Sequence, residues 1–173
     1  MDAEARALIE ALQLTPLTHE GGYYRRVYES PEWIPAEGLP ERYLGVPHPF
    51  STAIYYLYVD APDGFSHLHR LPTDEIFHFY QGDPVEMLIL HPDGRVEYRI
   101  LGPRVLEGQQ IQVLVPAGCW QGSRLLAGGG YALAGTTMTP GYMDSDFELG
   151  DAQVLEAAYP QAAELIRALC RPF

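Results

Sequence analysis

Between residues 50 and 139 the chain is cut into short apolar runs by turn residues, and this constrains its fold more than any other feature. The runs 51–59, 64–70, 75–80, 85–91, 95–101, 111–115, 121–126 and 130–138 read as strands. Between them stand Ala-Pro-Asp-Gly at 61–64, His-Pro-Asp-Gly at 91–94 and Ala-Gly-Gly-Gly at 127–130. His91-Pro92-Asp93-Gly94 is a hairpin signal. Evenly spaced short strands predict a sandwich or a small barrel. Seventeen glycines and 15 prolines in 173 residues suit such a chain. A further strand is expected at 22–29, after Gly21-Gly22. Helices are expected at 2–13, where Leu8, Ile9 and Leu12 form a stripe, and at 151–158 and 160–170. Residues 30–49 hold five prolines and read as a long surface excursion of the kind that forms lids. One domain over 1–173 is expected, its β part at about 20–140.

Composition removes several classes of function. The formal charge is -12, and the 11 basic residues are scattered arginines, so nucleic acid is not an expected partner. The chain has no lysine, which excludes Schiff-base catalysis, an internal pyridoxal-phosphate aldimine and a Walker-A phosphate loop. No nucleotide cofactor is expected, since Gly21-Gly22 is too short for a phosphate loop. No asparagine is present either, so N-glycosylation is excluded. Cys119 and Cys170 are far apart and read as reduced thiols, Cys119 buried and without an obvious base. The acidic start Met-Asp-Ala-Glu is not read as a signal peptide, and no apolar run approaches about 18 residues. A cytoplasmic protein without a membrane partner is the expectation.

The chemistry concentrates in 64–82, Gly-Phe-Ser-His-Leu-His-Arg-Leu-Pro-Thr-Asp-Glu-Ile-Phe-His-Phe-Tyr-Gln-Gly. His67 and His69 are two apart and project from one face of a strand. Glu75 opens the next strand beyond a Pro-Thr-Asp turn. Two imidazoles and a carboxylate on neighbouring strands are able to hold a divalent metal or to carry acid–base chemistry. Strict alternation puts His78 on the face opposite Glu75.

With Val115-Pro116-Ala117-Gly118-Cys119-Trp120-Gln121, this segment resembles the two-part signature of the cupin superfamily. More narrowly, the chain is similar to the DUF985, or cupin-5, subfamily. The hallmarks are Glu20-Gly21-Gly22-Tyr23, His69-Arg70…Asp74-Glu75, His78-Phe79…Gly82-Asp83-Pro84, Val115-Pro116-Ala117-Gly118…Trp120-Gln121 and Pro140-Gly141-Tyr142…Asp146-Phe147. The resemblance implies a mainly β double-stranded β-helix, the cupin jelly-roll barrel, and a homodimer. It does not imply a reaction. There are departures: five residues separate His69 from Glu75, seven separate Gly108 from Pro116, and Gln121 stands where the fourth metal ligand, a histidine, usually sits.

Three functions follow. In the first, His67, His69, Glu75 and Gln121 hold Fe, Mn, Ni or Zn in a metal-dependent enzyme. In the second, a metal-free sugar epimerase or isomerase uses His69 to abstract a proton, Asp74 or Glu75 to orient it, and Tyr23, Tyr56 or Tyr142 to donate. There Arg70 or Arg25 binds an anionic group. In the third, the interior binds a small ligand without catalysis, against Phe77, Phe79 and Trp120, with Arg70 and His78 near. A partner strand at 22–29 is expected to pair or swap between two copies, because an open sheet edge needs cover.

Overall fold

The computed structural model describes residues 1–170. Helix α1 (Ala3–Leu12) leads to strands β1 (Thr15–Pro16), β2 (Tyr23–Glu29), β3 (Trp33–Ile34), β4 (His48–Pro49), β5 (Thr52–Val59), β6 (Ser66–Arg70), β7 (Glu75–Gly82), β8 (Val85–Leu90), β9 (Val96–Leu101), β10 (Gln112–Val115), β11 (Trp120–Leu125), β12 (Tyr131–Met138) and β13 (Glu148–Leu149). Helices α2 (Ala152–Ala158) and α3 (Ala163–Leu169) follow. The expected last helix from 160 starts instead as a 3₁₀ turn, Pro160–Ala162, which runs into α3.

The paired strands are antiparallel, and 11 of them form two facing sheets, ordered β1-β2-β5-β12-β7-β10 and β13-β6-β11-β8-β9. This is the jelly-roll arrangement, held as two separate ladders rather than one closed cylinder. β3 and β4 make a small ladder of their own inside the 30–49 excursion.

Alternation along each strand decides which layer a side chain joins. Tyr56, Tyr58, Phe77, Val85, Met87, Ile89, Val113, Ala132 and Ala134 point between the sheets and make the central core. The intervening residues of β5 and β12, Leu57, Val59 and Leu133, point outward and are covered by α1 through Ala5. Asp2 caps that helix, its Oδ1 accepting from the amides of Glu4 at 2.7 Å and Ala5 at 3.2 Å. On the far side Leu68, Leu88 and Leu90 pack under α2 and α3 through Leu155, Ile166 and Leu169. The strands buried on both faces therefore read as near-continuous apolar runs.

The excursion at 30–49 is packed down rather than free. Tyr43 and His48 are buried, and His48 Nε2 lies 2.8 Å from Asp146 Oδ2. The Tyr43 hydroxyl accepts from Thr73 at 3.0 Å. β2 is hydrogen-bonded within its own chain between β1 and β5, with a register shift between Arg26 and Tyr28. No helix among the described residues is long and apolar enough to cross a membrane.

Candidate functional site

One end of the space between the sheets encloses a cavity of about 60 Å³. That is room for a few waters or one small molecule. Tyr24 and Arg26 of β2, Thr52 and Ile54 of β5, Thr136 and Met138 of β12 and Glu75 of β7 make one wall. Leu17, His19 and Glu20 of the turn before β2, with Leu71, Tyr142 and Asp144, complete it.

Glu20 is the residue that sequence reasoning missed. It sits in a tight loop pinned by the His67 amide, which donates to the Glu20 carbonyl at 2.9 Å, and by the Gly22 amide, which donates to the Asp63 carbonyl at 2.7 Å. The loop turns the carboxyl inward. Its Oε1 accepts from the Ser66 hydroxyl at 2.7 Å, and its Oε2 lies 4.0 Å from His69 Nε2. Burial raises its pKa from 4.5 to about 7, against smaller opposing effects of the Ser66 hydrogen bond and His19. The available signal was the acid placed immediately before the Gly-Gly turn.

His69 is buried with its Nδ1 2.8 Å from the His67 carbonyl oxygen. A carbonyl only accepts, so the proton sits on Nδ1 and Nε2 keeps its lone pair. Burial lowers its pKa, outweighing the attraction of Glu75. Phe147 stacks on its ring at 5.3 Å between centroids and closes it from outside. Glu75 is buried too, and desolvation raises its pKa despite the neighbouring imidazole. Its Oε2 accepts from Gln121 Nε2 at 2.7 Å. Gln121 is the cross-strand partner of His69 and so shares its face.

The structure thus brings His69, Glu75, Gln121 and the unanticipated Glu20 into one buried group. It does not bring the others. His67 is buried, but its Nε2 faces Asp63 at 3.7 Å and its ring packs on Phe65 at 4.2 Å. Among the described residues no group of three or more His, Cys, Asp or Glu side chains is placed to hold a metal ion. The expected His67–His69–Glu75 triad therefore does not assemble, and Gln121 offers Glu75 a donor rather than joining it as a ligand. These side chains, as the fold places them, do not form a metal-holding set.

Tyr23 and Arg25 pair across the ladder with Leu57 and Tyr55 and share their outward face. Tyr23 packs with the cluster under α1, and Arg25 Nη1 donates to the Leu12 carbonyl at 3.1 Å. The cation on the cavity wall is the next residue, Arg26. Arg70 also points outward, lying over the Trp120 ring at 4.6 Å and pairing with Glu148 at 2.6 Å. Trp120 packs towards the α2–α3 cluster. Phe77 and Phe79 belong to the central core and stand off the cavity wall. Asp74 accepts from the Ala117 amide at 2.7 Å and braces the 116–118 turn. His78 points outward, as alternation predicts, with Nε2 2.9 Å from Thr137 Oγ1 and Nδ1 3.0 Å from the Gln112 side-chain nitrogen. Tyr56 donates to the Gly21 carbonyl at 2.9 Å, and Tyr142 lines the cavity, where burial raises its pKa.

Cys119 does have a base beside it. Its Sγ lies 3.4 Å from His91 Nδ1, and His91 Nε2 lies 2.9 Å from Glu97 Oε1. Burial raises the thiol's pKa, so it stays protonated at neutral pH.

This jelly roll with its inward acid–imidazole group coincides with a family signature. The family model Cupin_5, Cupin superfamily (DUF985), matches residues 6–150. The chain belongs to this cupin family. A hypothetical protein from Leishmania major is 32% identical, with a TM-score of 0.83 over 97% of this cupin and 99% of that chain. Protein SO0799 from Shewanella oneidensis is 31% identical, with a TM-score of 0.81 over 100% and 99%. The uncharacterized protein YML079W of Saccharomyces cerevisiae is 29% identical over 157 residues, 84% of this cupin and 77% of that protein. A cupin 2 domain-containing protein from Halorhodospira halophila shares the fold at 14% identity and a TM-score of 0.54, over 88% and 85%.

Proposed function

We propose that this cupin binds a small carbonyl compound and moves a proton on it, an isomerase- or epimerase-type reaction without a cofactor. The observation that carries the reading is the Glu20 carboxyl: it lines the cavity, is fixed by Ser66, and titrates near 7. A group poised at the working pH both takes and returns protons efficiently. Glu20, as carboxylate, removes the proton from the carbon beside the carbonyl. Glu75, whose burial favours the neutral form, gives its proton to the carbonyl oxygen. The enol then collapses, Glu75 recovering its proton and Glu20 returning one to carbon. Two buried carboxyls with distinct surroundings suit this division. His69, with its bare Nε2 4.0 Å from the Glu20 carboxyl, is a positioning residue: a lone pair facing that carboxyl favours its protonated form.

The test is deuterium exchange into the C–H positions of small hydroxy- and keto-compounds in heavy water, followed by NMR. Exchange is expected from the native protein, is expected to fall by roughly 100-fold or more in Glu20→Gln, and is expected to survive dialysis against a chelator. Tight ligand binding with no exchange in any compound would leave a binding protein. Exchange lost with the chelator would return the site to metal chemistry.

A second copy of the chain is the partner we propose for the outer face of β7 and β10. Ile76, Tyr80 and Leu114 are exposed there, with Ile111 beside them and His78, Gln112 and Thr137 between. These residues include no carboxylate, although the chain carries 23 acids. Like-charged copies approach most easily across such a neutral patch, and the adjoining β10 edge is unpaired. Sedimentation at about 10 µM is expected to give a dimer, and Ile76→Glu with Leu114→Glu a folded monomer. A wild-type monomer, or a dimer unmoved by the double variant, overturns this.

A further inference from the structure

His69 meets neither solvent nor the cavity. It is 1% exposed, and the cavity wall stops short of it, at Glu20 and Glu75. The ring of Phe147 covers it on the outer side, stacked on the imidazole at 5.3 Å and edge-on to His19 at 4.7 Å. Beyond that ring lies a groove of about 380 Å³, lined by Phe147 itself with Arg42, Arg70, Leu71, Ser145 and Glu148. Leu71 lines the cavity as well as the groove. Phe147 therefore stands between the buried acid–imidazole group and a space larger than the cavity.

The main chain at this position is held firmly and the ring is not. On one side Asp146 is fixed by His48, with Oδ2 and Nε2 2.8 Å apart and both side chains buried. On the other, Glu148 pairs with Arg70 in the β13–β6 ladder, and its Oε2 accepts from Arg70 Nε at 3.0 Å and Nη2 at 2.6 Å. The backbone of Phe147 is thus clamped from both sides. Its ring belongs to none of the three apolar clusters that make the core. Among the described residues its ring contacts are the two imidazoles, and its remaining side faces the groove. A core phenylalanine is enclosed by partners that leave it one rotamer. Phe147 has open space to turn into, and side-chain rotation between staggered positions leaves the clamped backbone where it is.

We propose that Phe147 is a gate that sets the length of the compound this cupin takes. Swung into the groove, the ring uncovers His69 Nε2 and, 4.0 Å from it, the Glu20 carboxyl, and joins groove and cavity into one site. The compound is then longer than the cavity of about 60 Å³: its carbonyl end reaches Glu20, and the rest of it lies in the groove against Leu71. The assignment rests on the cavity being the reaction site, but gating and proton transfer can fail separately.

Diethyl pyrocarbonate is the probe. It is a carbonyl compound too large for the closed cavity, and it acylates an imidazole nitrogen that keeps its lone pair, as His69 Nε2 does. Peptide mass spectrometry after treatment at pH 7 locates the labelled histidines. In the wild type, His69 is expected to be labelled roughly ten- to thousand-fold more slowly than exposed His19, as a minor open state requires. His67, on the same strand and also 1% exposed, is expected to stay unlabelled over that time. In Phe147→Ala the His69 rate is expected to rise at least roughly ten-fold while His67 stays unlabelled. Labelling of neither histidine in the wild type overturns the gate, and labelling of both at one rate overturns it in favour of β6 opening as a whole. An unchanged His69 rate in a folded Phe147→Ala overturns it too; if that variant does not fold, the wild-type contrast between His69 and His67 decides alone. Labelling of His69 that depends on Phe147, without C–H exchange in any compound, keeps the gate and overturns the proton-transfer reading. Exchange with His69 unlabelled does the reverse.

Discussion

Glu20→Gln is expected to stabilise the protein above neutral pH while abolishing proton exchange. Unfolded, Glu20 ionises near 4.5; folded, it holds its proton up to about 7. Between those values the folded chain binds a proton that the unfolded chain has lost, so stability declines as pH rises. The favourable contribution is complete below 4.5 and gone once pH passes the folded value. The difference corresponds to on the order of 3 kcal/mol at pH 8. Glutamine fits the site: its oxygen keeps the Ser66 hydroxyl, and its amide donates to the bare Nε2 of His69. Thermal melts at pH 4.5, 6, 7 and 8 are the measurement. The variant is expected to match the wild type at pH 4.5 and to melt about 6–12 °C higher at pH 8. A gap that stays constant across that range would mean Glu20 ionises normally in the fold. Glu75, also raised, leaves some of the same slope in the variant. His69 acts in the opposite direction, because it resists protonation when folded: its contribution is lost as pH drops below about 6.5, which offsets part of the carboxyl slope.

How legible this was from residues alone depended on the reach of the contact. Strands 51–59 and 75–80 were readable because period-two alternation and turn residues are local signals, and the structure runs them at Thr52–Val59 and Glu75–Gly82. The pairing of His69 with Gln121 and Glu75 was readable because a shared face follows from spacing once neighbouring strands are assumed. The inward direction of Arg26 rather than Arg25 was not. Two adjacent arginines on one strand differ only in register, and register is set by the partner strand. Glu20 was hidden for a different reason: Glu-Gly-Gly is an ordinary turn until the loop is seen docked on Phe65 and His67, more than forty positions later in the chain. His67 was misread because β6 carries a register irregularity against β11 between Ser66 and His69, which breaks strict alternation, and its ring faces Asp63. The base beside Cys119 lies 28 residues away in sequence, across two strands.

Gly21→Ala is expected to destabilise the fold severely, and to take Glu20 out of the cavity. Gly21 has φ of +109°, where a side chain is strained. A Cβ built there lies 2.1 Å from the Phe65 carbonyl oxygen and 3.1 Å from the His67 ring. Backbone cannot swing aside as a lysine tip does, so the loop must lift from β6 by more than an ångström. Lifting it breaks the His67 amide bond to the Glu20 carbonyl and the Tyr56 hydroxyl bond to the Gly21 carbonyl. The sum of strain, clash and lost hydrogen bonds is about 3–5 kcal/mol. Gly128→Ala supplies the control: its φ is +87°, equally strained, but a Cβ there meets nothing within 4 Å. It is expected to cost only about 1 kcal/mol. Urea unfolding of both variants checks the contrast, and the exchange assay checks its consequence. Equal losses in the two proteins would mean that backbone strain alone matters at Gly21 and that the docked loop does not set the position of Glu20.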